Sequence, residues 1–136
     1  MCGIAGIAAK SAINDDAVRA MMARMGHRGP DAKGIWHAQD HQVVFGHTRL
    51  AVIDISNGGA QPMLDPTGQV ALVYNGEIYN YREIAGRLRS EGIALHSDSD
   101  TEVLLQAYIR WGRDMLAELN GMFAFCIHDS RDQTIF

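Results

Sequence analysis

The chain offers little material for cross-linking or anchoring. Its 136 residues hold only two cysteines, Cys2 and Cys126, far apart and in no C-x-x-C pattern. That argues against a disulfide framework or a zinc knuckle. No long Lys/Arg run occurs, and the net charge is −4, so nothing points to nucleic acid or a membrane surface. No apolar run reaches the ~18 residues of a membrane span. The apolar start lacks the basic n-region and long h-region of a signal peptide, and charge arrives early at Asp15, Asp16 and Arg19. The six histidines, His27, His37, His41, His47, His96 and His128, show no H-E-x-x-H spacing, and no metal site is assigned. There is no internal repeat, linker or low-complexity segment. What remains is a 47% hydrophobic, 21% charged globule. It has enough chain for one domain with a moderate core. The cysteine usage fits a reducing, cytoplasmic setting.

Hydrophobic periodicity gives the order of elements. Residues 2–8 read as a short buried strand. Asn14 or Asp15 can cap a helix to about Met25, with Val18, Met21, Met22 and Met25 as one apolar stripe and Gly26 as its stop. A polar turn, His27-Arg28-Gly29-Pro30-Asp31, follows. Strands are expected near 34–37, 42–47 and 50–54, then a Gly/Pro-rich loop over 56–68, then a strand over 70–74. Asn80 with Glu83 makes a capping pair for a helix whose buried face is Tyr81, Ile84, Ala85 and Leu88, ended by Gly92. A short strand over 93–96, a buried helix from Ser99 or Asp100 to Trp111, a helical turn over 114–119, a strand over 122–128 and the start of another at 134–136 complete the reading. Helices grouped between runs of strands favour α+β layers over βαβ winding.

Four polar groups and one thiol stand where sites form. Cys2 follows the initiator Met1. Once Met1 is removed, the cysteine carries a thiol and a free α-amine on one carbon. A cysteine thiol titrates near ~8.5 and an α-amine near ~7.7–8.0, so the amine can take the thiol's proton. Arg49 lies among apolar strand residues, where a guanidinium fork suits a carboxylate; an ordinary salt bridge is the plainer reading. Asn75-Gly76-Glu77 is a common hairpin signal, yet an Asn amide beside a Gly N–H also makes two donors for an oxyanion. In Ser99-Asp100-Thr101-Glu102 capping explains one acid and dipole compensation the other, while a carboxylate reaching a substrate ammonium is the functional alternative. Arg28-Gly29-Pro30-Asp31 is by itself a rigid charged turn.

Together these stretches match a family in order along nearly the whole chain: Met1-Cys2-Gly3-Ile4-Ala5-Gly6, His27-Arg28-Gly29-Pro30-Asp31, His47-Thr48-Arg49-Leu50-Ala51-Val52-Ile53-Asp54, Gly59-Ala60-Gln61-Pro62, Tyr74-Asn75-Gly76-Glu77-Ile78-Tyr79-Asn80, Ser99-Asp100-Thr101-Glu102 and Gly121-Met122-Phe123-Ala124-Phe125. The sequence resembles the amino-terminal glutaminase domain of glutamine-hydrolysing asparagine synthetases, which are class II glutamine amidotransferases. The resemblance implies an N-terminal-nucleophile (Ntn) hydrolase fold, a four-layer αββα sandwich with two antiparallel sheets. It implies that Cys2, freed of Met1, attacks the side-chain amide of L-glutamine with its own α-amine as base. Asn75 and Gly76 would hold the oxyanion, Arg49 the substrate carboxylate and Asp100 its ammonium. Leu50, Ala51, Val52, Ile53 and Glu77 would line the pocket.

The Ser-Gly-Gly-x-Asp-Ser loop of the synthetase domain does not occur here. The resemblance therefore implies an incomplete glutaminase domain over 1–136, continued past Phe136 and joined to a C-terminal synthetase domain. ATP and Mg2+ are expected only in that second domain, and no cofactor in the first. No nucleic acid or membrane partner is expected, and a homodimer is left open. Two alternatives stand beside this reading. One is the glutaminase half of another class II amidotransferase, with a sugar phosphate or phosphoribosyl acceptor. The other is a catalytically silent regulatory or binding domain of the same fold.

Overall fold

The computed structural model describes residues 2–51 and 57–136. The strand expected over 50–54 falls mostly outside them; Leu50 and Ala51, its described part, are not in a strand. Two antiparallel sheets form among the described residues. The first, in the order β1-β3-β2, is built from Gly3–Ala8, Ala32–His37 and Val43–Arg49, numbered in chain order as β1, β2 and β3. The second, in the order β4-β5-β6-β7, joins Met63–Leu64, Val70–Ile78, Gly121–Asp129 and Thr134–Ile135.

Helix α1 (Asp16–Arg24) covers the first sheet, with Val18 and Met22 against Val44. Met25, which caps that helix, is half-buried, but Met21 is 42% exposed, so the apolar stripe is narrower than its spacing suggests. Helices α2 (Tyr81–Ser90) and α3 (Asp100–Trp111) cover the second sheet through Ile84, Leu88, Leu104 and Leu105, packed on Leu72, Tyr74 and Ile127. Between the sheets lie Val43, Phe45, Ala71 and Val73. The architecture is the αββα sandwich. It explains why β3 is buried along its whole length: it is the central strand of a sheet covered on both faces, so both of its alternating sets are inside.

The segment read as a loop over 56–68 holds the two-residue β4, and three further local readings are decided by the structure. Residues 93–96 form no strand. Gly92, at φ +84°, donates to the Arg89 carbonyl and Ile93 donates to the Leu88 carbonyl, which is a Schellman ending to α2. The N–H groups of His96 and Ser97 go to the Glu102 carboxylate, so both ends of the segment are held by bonds other than a ladder. Asn80 precedes α2 but makes no side-chain cap bond. Its amide instead donates to the Glu118 carbonyl and accepts from Asn120 N–H, tying α2 to the entry of β6. Finally, Asn75-Gly76 is not a hairpin turn. β5 continues unbroken to Ile78 and pairs with β6, whose Gly121 lies opposite Ile78. The chain returns through both helices rather than through a tight turn.

Candidate functional site

The site forms where the two sheets meet the start of α3. β1 and β3 pair with Gly3 opposite Thr48, so the same register brings Cys2 to the end of β3, beside Arg49 and Leu50. The contact is direct. Leu50 N–H donates to Cys2 Sγ at 3.3 Å, and the thiol donates to the Leu50 carbonyl at 3.6 Å. Arg28 Nε donates to the Cys2 carbonyl at 2.9 Å, and Asp31 accepts the Ala51 N–H at 2.8 Å. The charged turn over 28–31 therefore clamps the segments on both sides of the thiol.

β5 supplies the opposite wall. Ala71 and Val73 face the first sheet, and the two-residue period places Asn75 on that same face. Asn75 Oδ1 is buried with no hydrogen-bond partner among the described residues. Along the strand edge, Tyr74 N–H goes to Gln61 Oε1 and Ile78 N–H to Asp100 Oδ2. Both point away from β6. Antiparallel alternation gives Gly76 N–H the same direction, between them. β4 pairs only as far as Leu72, so among the described residues no strand covers the edge at Gly76. A Cβ on Gly76 would lie 2.3 Å from the Met122 carbonyl oxygen, so only glycine lets β5 and β6 close there.

Helix α3 brings the acid. Ser99 caps it, accepting the Thr101 N–H at 3.1 Å. Asp100, 5% exposed, accepts from Tyr74 OH at 2.7 Å and from Ile78 N–H at 3.3 Å. Burial raises its pKa above the usual carboxylate value, opposed by those hydrogen bonds and helped by the nearby Glu77 charge. Tyr74 is raised too, by burial first and then by its bond to Asp100, so it is the donor of the pair. Glu102 takes the separate structural role described above. Arg49 is 8% exposed, and a Cβ at Gly59 would stand 2.7 Å from its guanidinium nitrogen. The bare glycine makes room for that head.

Cys2, Arg49, Leu50, Asn75, Gly76, Glu77 and Asp100 thus line one cavity of about 230 Å³. That volume is below the ordinary range for drug-sized ligands and suits one amino acid. Ala51 lies beside it, held by Asp31, and is not among the lining residues. Val52 and Ile53 lie outside the described residues. Gly59, Gln61, Tyr74, Ser99, Thr101 and Met122 also line the cavity; read from the sequence, Ser99 has a capping role only and the others no individual role. Among the described residues no cluster of His, Cys, Asp or Glu could hold a metal ion, and no helix is long and apolar enough to cross a membrane.

The sandwich thus sets a thiol at the head of its first strand in one cavity with an arginine and a buried acid. The family profile described as Glutamine amidotransferase domain matches residues 1–136, and the chain belongs to that family. It is 38% identical over 141 residues to asparagine synthetase [glutamine-hydrolyzing] 1 of Bacillus subtilis, a match covering 100% of this chain and 22% of that protein. It is 36% identical over 137 residues to asparagine synthetase [glutamine-hydrolyzing] 2 of Oryza sativa subsp. japonica, covering 98% and 22%. The chain spans about a fifth of the length of these relatives. Among solved structures, glutamine phosphoribosylpyrophosphate amidotransferase from B. subtilis, complexed with ADP and GMP, superposes with a TM-score of 0.79 at 19% identity, over 96% of this chain and 35% of that one. At that identity the likeness shows the Ntn-hydrolase fold.

Proposed function

We propose that this domain hydrolyses the side-chain amide of L-glutamine through Cys2. Removal of Met1 exposes the Cys2 α-amine. The amine takes the thiol proton, and the thiolate attacks the amide carbon. Charge develops on the former carbonyl oxygen, where the Asn75 amide and the Gly76 N–H receive it. The intermediate collapses as the protonated amine gives its proton to the leaving nitrogen, which departs as ammonia. A γ-glutamyl thioester remains on Cys2. Water, deprotonated by the same amine, attacks it; glutamate leaves and the thiol is restored. Arg49 holds the substrate carboxylate and Asp100 its ammonium.

The observation that carries this reading is the meeting of a thiol, the Asn75 and Gly76 segment of β5, one arginine and the buried Asp100, with Glu77 beside it, in a cavity sized for one amino acid. The relatives' names favour asparagine formation from aspartate as the use of the ammonia, in a C-terminal synthetase domain that takes ATP and Mg2+. A reducing cytoplasm would keep the thiol free. The test is to incubate the protein with L-glutamine and follow both products. Equal amounts of glutamate and ammonia, lost in Cys2→Ala, support the reading. A protein that releases neither refutes it.

A further inference from the structure

One polar side chain in the cavity wall stands where a strand should be. β4 pairs with β5 at Met63 opposite Leu72 and Leu64 opposite Ala71. The same register, carried two residues further, sets residue 61 opposite Tyr74. The ladder does not extend there. The Gln61 carbonyl, which that register would present to Tyr74 N–H, turns the other way, to β2: a Cβ on Gly34 would lie 1.9 Å from that oxygen. Tyr74 N–H would then be a buried orphan, a costly state. The Gln61 side chain fills the gap. Its Oε1 accepts Tyr74 N–H at 2.6 Å, and its Nε2 donates to Thr101 Oγ1 at 3.3 Å.

Those two partners are the neighbours of the acid. Tyr74 donates its hydroxyl to Asp100 Oδ2, and Thr101 is the next residue of α3. Gln61 is also among the buried residues, so water competes poorly for its amide. One side chain therefore ties the backbone of β5 to the first turn of α3, the two elements between which Asp100 is held. We infer that Gln61 is a positioning residue that sets the Asp100 carboxylate for the substrate's α-ammonium. The inference rests on the glutaminase reading for the identity of that ammonium. Nothing in it requires Gln61 to touch the reacting atoms. Its loss shows in recognition of one end of the substrate rather than in chemistry at the other.

The test compares L-glutamine with glutaramate, which keeps the amide and the carboxylate but lacks the α-amine. Gln61→Met preserves length and removes both hydrogen bonds. It is expected to raise KM for L-glutamine about tenfold, the scale of a lost buried hydrogen-bonded link, with little change in kcat and little change in kcat/KM for glutaramate. Thr101→Val, which removes the acceptor alone, should show a smaller loss with the same selectivity. The double variant should then be no worse than Gln61→Met, because the two residues act through one link. A second readout does not depend on turnover: the Asp100 carboxyl titration, followed by NMR, should move in Gln61→Met relative to the parent. Equal losses on both substrates overturn the inference, as does an unmoved Asp100 titration with unchanged kinetics. A parent inactive on glutamine, with Asp100 still moved by Gln61→Met, would refute the glutaminase reading and leave the positioning role supported.

Discussion

Cys2 Sγ is held by the main chain of Leu50, which donates to it at 3.3 Å and accepts from it at 3.6 Å. Among the described residues no side-chain base hydrogen-bonds to this sulfur. The proposed acceptor of the thiol proton is therefore the α-amine. Intact mass should show Met1 absent in active protein. Protein that retains Met1, or is acetylated on Cys2, should be inactive. Cys2→Ser should keep little activity, because a hydroxyl ionises far less readily than a thiol. Full activity with a blocked amine would remove the amine from the mechanism.

Asn75→Ala deletes one donor from the developing oxyanion. Such a loss typically costs about 10²–10³ in kcat. Glutamine KM and the thermal midpoint should change much less, since Asn75 Oδ1 has no partner to lose among the described residues. A folded variant within tenfold of the parent would return Asn75 to a purely structural part of β5.

Arg49→Lys keeps the charge but not the planar fork, and should act mainly on glutamine KM. Asp100→Asn should do the same from the other end of the substrate. Tyr74→Phe removes the hydroxyl that Asp100 accepts at 2.7 Å. A hydrogen bond to a charged group is worth about 1.5–3 kcal/mol, so kcat/KM should fall roughly tenfold or more. Unchanged steady-state kinetics in all three variants would show that these side chains serve the fold and not the ligand.

His47 gives a pH signature in stability. It is 1% exposed, and neither ring nitrogen has a hydrogen-bond partner among the described residues. Burial pushes its pKa down to about 4, and the nearby Arg49 charge adds to the depression. The unfolded chain binds the proton near 6.5. Above that value both states are neutral and the contribution is fully present. As pH falls from 6.5 toward 4 the unfolded state alone takes the proton, and stability is lost. The loss is at most about 3 kcal/mol. Denaturant unfolding between pH 7 and pH 4 should show this slope, and His47→Leu should flatten it. An equal slope in the variant would assign the effect to other groups.

Much of this site was legible because its residues carry chemistry in their own side chains. A thiol after Met1, an arginine among strand residues and an acid at a helix start each suggest a role by type. Asn75-Gly76 was ambiguous locally, since the same dipeptide serves hairpins. The decision comes from the pairing of Asn75 with Ala124 and Gly76 with Phe123 in β6, a separation no local window contains. Gln61 was unreadable for a related reason: its partner exists only because β4 stops at Met63. The strand expected over 93–96 failed because the Leu88 carbonyl takes the Ile93 N–H and the Glu102 carboxylate takes the His96 and Ser97 N–H groups. The sandwich itself was readable from grouped periodicities and the resemblance, whereas Asn80 needed the distant Glu118 and Asn120 to reveal its bonds.

The central claim is that Cys2 becomes acylated by the substrate. The direct measurement is an acid quench during turnover with L-glutamine, followed by intact mass and peptide mapping. The account predicts one γ-glutamyl group on the peptide that begins at Cys2, absent from Cys2→Ala and discharged when glutamine is exhausted. An adduct on Cys126, or glutamate release by Cys2→Ala at the parent's rate, would contradict it.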